Sequence, residues 1–333
     1  MTYFILIPVV SFLLSLIFTP ISKYFALKLN IIDKPTGLKK HSKPIPYLGG
    51  FAIFLASIPI VLTYLLINNI YSSDIIGILT SITIILILGL WDDIKMLNPY
   101  TKLIIQILAT IVLITSGVYI KIIYFPFWLN ITLTILWILG ITNAINLIDI
   151  KDGLAGSITF IASMTFFFIA LGNNYQFIIM LSGGLAGAIL GFLIFNYPPA
   201  KIFMGDAGSE FIGFLLAIIS IQISYTTINK IALISPILIL GIPIYDTIFV
   251  IIIRLLNGQN PLHGSPDHIA IRLNKLGIPD KYVLWIMILV EIILCESAYI
   301  ATTVNVYGAI FIYVFILMLA LIFGVFLSKV KVK

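Results

Sequence analysis

Residues 128–157 read WLNITLTILWILGITNAINLIDIKDGLAGS. The first part, 128–148, is an apolar run of the roughly 20 residues needed to cross a membrane as a helix. It ends in polar groups at every third position: Asn143, Asn146, Asp149 and Asp152. Carboxamides and carboxylates beside lipid are costly without partners, so this stretch predicts a membrane helix that runs into a built site for a polar, charged ligand. Residues three apart drift by about 60° per step on an α-helix. Asn143 and Asn146 can therefore share a helix face, while Asp149 and Asp152 fall off it. The helix is expected to end near Asp149, with Gly153 turning the chain and both aspartates on a loop at headgroup level. Such a loop can bind Mg²⁺ or a nucleotide base. The competing reading is plain interhelical hydrogen bonding by the asparagines and helix capping by the aspartates.

The rest of the chain has the same character. Of its 333 residues, 61% are hydrophobic and 10% charged, against roughly 25% charged in a soluble domain. There is no polar block large enough for a separate soluble domain, so residues 1–333 read as a single integral membrane domain. The lone cysteine, Cys295, excludes an intramolecular disulfide. Apolar runs place eleven spans near 3–24, 48–68, 75–91, 101–119, 128–148, 156–171, 176–195, 209–226, 230–256, 282–302 and 305–328. The first reads as an uncleaved span, since it lacks a basic leader and a cleavage pattern. The ninth holds Pro236, Gly241 and Pro243 in its interior, which predicts a kink. The fold class expected is therefore all-α, a polytopic membrane protein of about 10–11 helices with a kinked ninth.

With the N-terminus outside, seventeen of the nineteen lysines and arginines fall on or beside the cytoplasmic loops 25–47, 92–100, 149–155, 196–208, 257–281 and the tail, leaving Lys121 and Lys230 opposite. Topology and anionic lipid account for this positive face, so no nucleic-acid partner is implied. Most acidic residues gather on the same face, which topology does not require. That gathering fits a divalent metal and phosphates.

Four further motifs supply side chains. Trp91-Asp92-Asp93 closes the third span; adjacent helical residues do not share a face, so the two carboxylates are expected to do different work. Lys102 and Gln106 share a face of the next span, where the lysine either snorkels to headgroups or reaches a phosphate. Phe203-Met204-Gly205-Asp206-Ala207-Gly208-Ser209 precedes a helix start, where glycines permit close approach and N–H groups favour anions. The last cytoplasmic loop carries His263, Asp267, His268 and Arg272, a set suited to phosphate or sugar hydroxyls.

In this order the motifs resemble those of the polyprenyl-phosphate N-acetylhexosamine-1-phosphate transferases, glycosyltransferase family 4, which also contains the phospho-N-acetylmuramoyl-pentapeptide transferases. The likeness rests on IDKPTGLKKHSKPIPYLGG at 32–50, GLWDD at 89–93, the Lys102/Gln106 pair, NAINLID and KDGLAG within 143–156, and FNYPPAKIFMGDAGS at 195–209. The resemblance implies transfer of a sugar-1-phosphate from a UDP-sugar to a polyprenyl phosphate such as undecaprenyl phosphate, with UMP leaving and Mg²⁺ required (Mn²⁺ as a substitute). It implies a cytoplasmic active site in the cell membrane and allows a homodimer. Asp92, Asp93 and Asp206 are then catalytic. Asp206 and Asp149 hold metal, and Lys43, Lys102, Asn146, Asp149, Asp152, His263, His268 and Arg272 bind substrate. The bent ninth helix resembles the family's lipid-groove element. Two departures stand out. Ile150 replaces the family's usual glycine, and the loop reads His268-Ile269-Ala270-Ile271-Arg272 where the family carries His-x-His-His-Arg, which leaves the sugar open. The alternatives are a pentapeptide transferase, whose histidine triplet is absent, and a secondary transporter, which would place ionisable groups near the bilayer midplane.

Overall fold

The computed structural model describes residues 2–33, 44–223, 225, 228–260, 265–330 and 332. Their regular structure is helical, apart from a two-residue antiparallel pairing of β1 (Ile32–Asp33) with β2 (Ile45–Pro46). Each of the eleven expected spans has a helical counterpart. Among the described residues, eight helices are long and apolar enough to cross a membrane, nine with one bent pair, and the chain is a multi-pass, all-α membrane protein. It divides into two compact units, 1–223 and 224–333.

In the first unit α1 (Thr2–Lys28) lies along α7 (Gln176–Asn196) and α2 (Gly49–Ile67), and α6 (Leu154–Gly172) covers α7 as well. The hydrophobic effect does not drive helices together in lipid, so close packing and interhelical hydrogen bonds must do so. The α1–α7 seam uses both. A Cβ at Gly187 would sit 2.0 Å from the Pro8 carbonyl oxygen. Ser15 Oγ donates to the Ala188 carbonyl at 2.7 Å, and Ser11 Oγ bridges to Gly184 and Ala56. The most enclosed helix is α8 (Gly205–Gln222), packed by α3 (Ser73–Lys95), α5 (Phe127–Ile148) and α2. It begins four residues before the expected 209, which moves Asp206 from a loop into its first turn. Beside α3 runs the shorter α4 (Pro99–Thr115), capped by Asn98 and started by Pro99. The expected end of the 128–148 span is borne out: α5 stops at Ile148, Gly153 has φ 72°, and α6 starts at Leu154.

The second unit holds the kinked ninth span, and the kink is a break. A 3₁₀ turn at Lys230–Ile234 runs into α9 (Ser235–Ile239), and α10 (Gly241–Leu256) leaves at 73°. Pro236 and Pro243 each fall in a first turn, where a missing N–H costs nothing. A break inside a membrane frees backbone groups that lipid cannot satisfy. The following helix, α12 (Asp280–Thr303), supplies two side chains one turn apart for them. The Glu291 carboxyl takes the Ile242 N–H at the start of α10, and Cys295 Sγ lies 3.8 Å from the Ile239 carbonyl at the end of α9. The last helices are α11 (Ile269–Lys275) and α13 (Val306–Ser328). A Glu291→Leu substitution removes the acceptor and is expected to lower stability by about 1–3 kcal/mol, the cost of an orphaned buried donor. Glu291→Gln keeps an oxygen there and costs less. Thermal unfolding in detergent measures both, and a Leu variant as stable as wild type would contradict this assignment.

Candidate active site

The site is built around the start of α8. Phe203 and Met204, which lead into it, accept hydrogen bonds from the N–H groups of Gly49 (3.0 Å) and Gly50 (2.8 Å) at the start of α2. A Cβ at Gly50 would meet Gly208 N at 2.0 Å, and one at Gly89 of α3 would meet Ala207 Cα at 2.4 Å. Those two glycines are what allow α2 and α3 to touch the α8 backbone. The touching brings the end of α3 to the N-terminus of α8. There Asp93 accepts the N–H groups of Asp206 (2.7 Å) and Ala207 (3.2 Å), a cap supplied from another helix.

Asp92, one residue earlier, faces elsewhere, as the adjacency argument required. Its carboxylate accepts the Leu97 N–H and pairs with Lys102 Nζ at 2.8 Å. The same ammonium lies 3.5 Å from Asp206 and 2.7 Å from Glu210. Oxygens of Asp92, Asp206 and Glu210 all lie within 4.8 Å of one another. Glu210 is one turn beyond Asp206 on α8, 1% exposed, and hydrogen-bonds Gln106 as well as Lys102.

The two asparagines reach different neighbours. Asn143 donates to Gln106 Oε1 at 2.9 Å, joining α5 to α4. Asn146 donates to Asp206 Oδ1 and to Ser209 Oγ, joining α5 to the α8 start. On the loop, Asp152 accepts the Ala200 N–H at 2.9 Å, while Asn196 accepts from Gly153 N and donates to the Ile202 carbonyl. Asp152 and Asn196 thus tie the 149–153 loop to the 197–204 loop. Burial, with repulsion from Asp206 and Asp152, pushes the Asp149 carboxyl up to about 7. Tyr47 joins the same rim. Its phenol hydrogen-bonds Asp33, and burial first, then the nearby carboxylates, holds its proton well above the ordinary range.

The first unit thus brings together Asp92, Asp93, Lys102, Asn146 and Asp206, with Asp149 and Asp152 on the adjoining loop. Glu210, Ser209 and Tyr47 are not among the site residues expected from the sequence. The i, i+4 spacing of Asp206 and Glu210 was the available signal, hidden by starting the helix at 209. In the second unit, His268 Nδ1 lies 2.6 Å from Asp246 Oδ2, and Asp246 also accepts the Ile269 N–H at 2.7 Å. Arg272, 3% exposed, donates to Asp267 at 2.6 Å and to the Leu327 and Val330 carbonyls at the end of α13, and lies over the Phe249 ring. Lys43 and His263 lie outside the described residues.

Two substitutions separate the cap from the close approach. Asp93→Ala is expected to cost about 0.5–2 kcal/mol, as loss of an N-cap does. Gly89→Ala is expected to cost more, because the clash is with backbone that cannot rotate away. Thermal unfolding tests both, and an unchanged melting temperature for Gly89→Ala would contradict the packing argument.

The family model described as glycosyl transferase family 4 matches residues 75–224, the segment that carries the Asp92/Asp93, Lys102, Asn146–Asp152 and Asp206–Glu210 groups. A probable undecaprenyl-phosphate N-acetylglucosaminyl 1-phosphate transferase of Bacillus subtilis (strain 168) is 37% identical over 320 residues, spanning 93% of this chain and 88% of the relative. An undecaprenyl-phosphate alpha-N-acetylglucosaminyl 1-phosphate transferase of Thermotoga maritima is 30% identical, over 77% of this chain and 76% of the relative. A phospho-N-acetylmuramoyl-pentapeptide-transferase of Streptococcus pneumoniae is 30% identical, over 65% and 72%. With most of its length aligned to such relatives and its acidic core inside the matched segment, the chain belongs to glycosyl transferase family 4.

Proposed function

We propose that the chain transfers an N-acetylhexosamine-1-phosphate, with N-acetylglucosamine the first choice of sugar, from a UDP-sugar to a polyprenyl phosphate and releases UMP. The names of its relatives support this reading. One observation carries it: a single ammonium, Lys102, gathers three carboxylates at the capped end of a buried helix. That is a charge arrangement suited to phosphates arriving with a metal.

The donor set fits a hard divalent cation, since Asp92, Asp206 and Glu210 offer carboxylate oxygens within 4.8 Å of one another and such oxygens are what Mg²⁺ and Mn²⁺ take. Asp206 would hold it with Asp92 and Glu210, and Asp149 stands on the neighbouring loop. When bound, the ion neutralises phosphate charge, the main source of catalysis in phosphoryl transfer.

The chain's own groups do the rest. Asn146 fixes Asp206 Oδ1, and Asp93 fixes the helix that carries Asp206 and Glu210. Lys102 supplies positive charge toward the reacting phosphates. An oxygen of the lipid phosphate attacks the sugar-linked phosphorus, the bridging bond to the uridylyl phosphate breaks, and UMP takes that electron pair. Phosphate monoesters have a second pKa of about 6, so the acceptor is mostly dianionic at neutral pH. Neither Asp92 nor Asp93 needs to remove a proton, and we assign both to positioning. Lys43, His263, His268 and Arg272 keep their proposed roles as substrate contacts. Both units serve one transferase domain, with the N-terminus outside and the site at the cytoplasmic face.

UMP release from a panel of UDP-sugars, with polyprenyl phosphate and Mg²⁺ each present or omitted, tests the reading. Release that requires the lipid phosphate and is fastest with UDP-N-acetylglucosamine is expected. Release independent of lipid phosphate for every sugar would overturn it.

A further inference from the structure

Lys102 does more than border the carboxylates. Its ammonium stands among them, 2.8 Å from Asp92, 3.5 Å from Asp206 and 2.7 Å from Glu210. A magnesium ion touching the same oxygens at about 2.0–2.1 Å would share the space of that ammonium. Two positive charges at such a distance in a partly buried site repel strongly, so the two cations exclude one another. The lysine can yield. It sits at the start of α4 on a stem of four rotatable carbons, and its side chain is 16% exposed, against 1% for that of Glu210. Glu210 need not move with the lysine, since Gln106 hydrogen-bonds it independently.

We propose that Lys102 is the resident counter-cation of the Asp92–Asp206–Glu210 site and that it swings out when a divalent cation enters. Glu210 is a positioning residue for both states. It holds the ammonium when no metal is present and joins the ligand set when metal arrives. The exchange keeps the carboxylates from repelling one another in the resting protein, and it releases a positive charge toward the phosphates when the site is loaded. The inference rests on the reading that this site takes a divalent cation, and it does not depend on which sugar is transferred.

The test uses purified full-length protein in detergent, without UDP-sugar or lipid phosphate. Thermal unfolding is followed against Mg²⁺, and separately Mn²⁺, for wild type and Lys102→Met. The Met variant is expected to unfold at lower temperature without metal, and its half-saturating Mg²⁺ to fall by about tenfold or more, since a competing charge has been removed. Equal half-saturation in the two proteins would overturn the proposal. A second measurement needs no variant and covers a Met protein that fails to fold. Amine labelling of the wild type, read by mass spectrometry, is expected to speed up several-fold at Lys102 on adding Mg²⁺, with exposed Lys95 as the internal reference. Labelling at Lys102 that does not respond to Mg²⁺ would overturn the proposal. No stabilisation of either protein by any divalent cation would also overturn it, while leaving the transferase reading to the separate UMP-release assay.

Discussion

Two backbone N–H groups at the start of α8 point at the carboxylate of Asp93, and the geometry of the site hangs on that contact. It fixes the end of α3 against the start of α8, and so fixes Asp92 relative to Asp206 and Glu210. The contact is possible because Gly50 and Gly89 have no side chain where α2 and α3 meet the α8 backbone. A helix N-terminus buried among other helices must find acceptors for its free N–H groups. Here the acceptor is a carboxyl group from another helix, placed at the positive end of the helix dipole.

A second constraint is electrostatic. Asp92, Asp206 and Glu210 would repel one another at these separations without a cation. Burial of a charge is costly unless it is paired. Lys102 answers that requirement from α4, and Asn146 adds a neutral donor from α5. The second unit solves similar problems in the same way, with an acidic side chain at a helix start: Asp246 for α11 and Glu291 for α10.

Much of this was legible in the sequence because it follows from periodicity and spacing. The membrane-length runs, the stop of α5 at Asp149, the turn at Gly153 and the split roles of Asp92 and Asp93 all come from local rules. The α8 start was misplaced because hydropathy marks where apolar residues begin, while the helix begins at the glycine-rich turn before them. Glu210 therefore went unnoticed as a partner of Asp206. The break at Leu240 is legible from Pro236, Gly241 and Pro243 as a kink, but its stabilisation by Glu291 is a contact between residues about fifty apart in the chain. Arg272 looked like a ligand for sugar or phosphate by type. Its hydrogen bonds to the carbonyls at the end of α13 are seen only in three dimensions, since no local pattern announces which carbonyls an arginine will meet.

In the proposed function, the carboxylates gathered by Lys102 are the reaction centre. The most direct measurement is turnover by Asp206→Asn and Asp92→Asn, each with its melting temperature recorded. Loss of activity by about 10²–10³-fold or more, the scale of removing one electrostatic contact to a reacting group, in variants that still fold is the predicted result. Near-normal turnover by a folded Asp206→Asn protein would contradict the account.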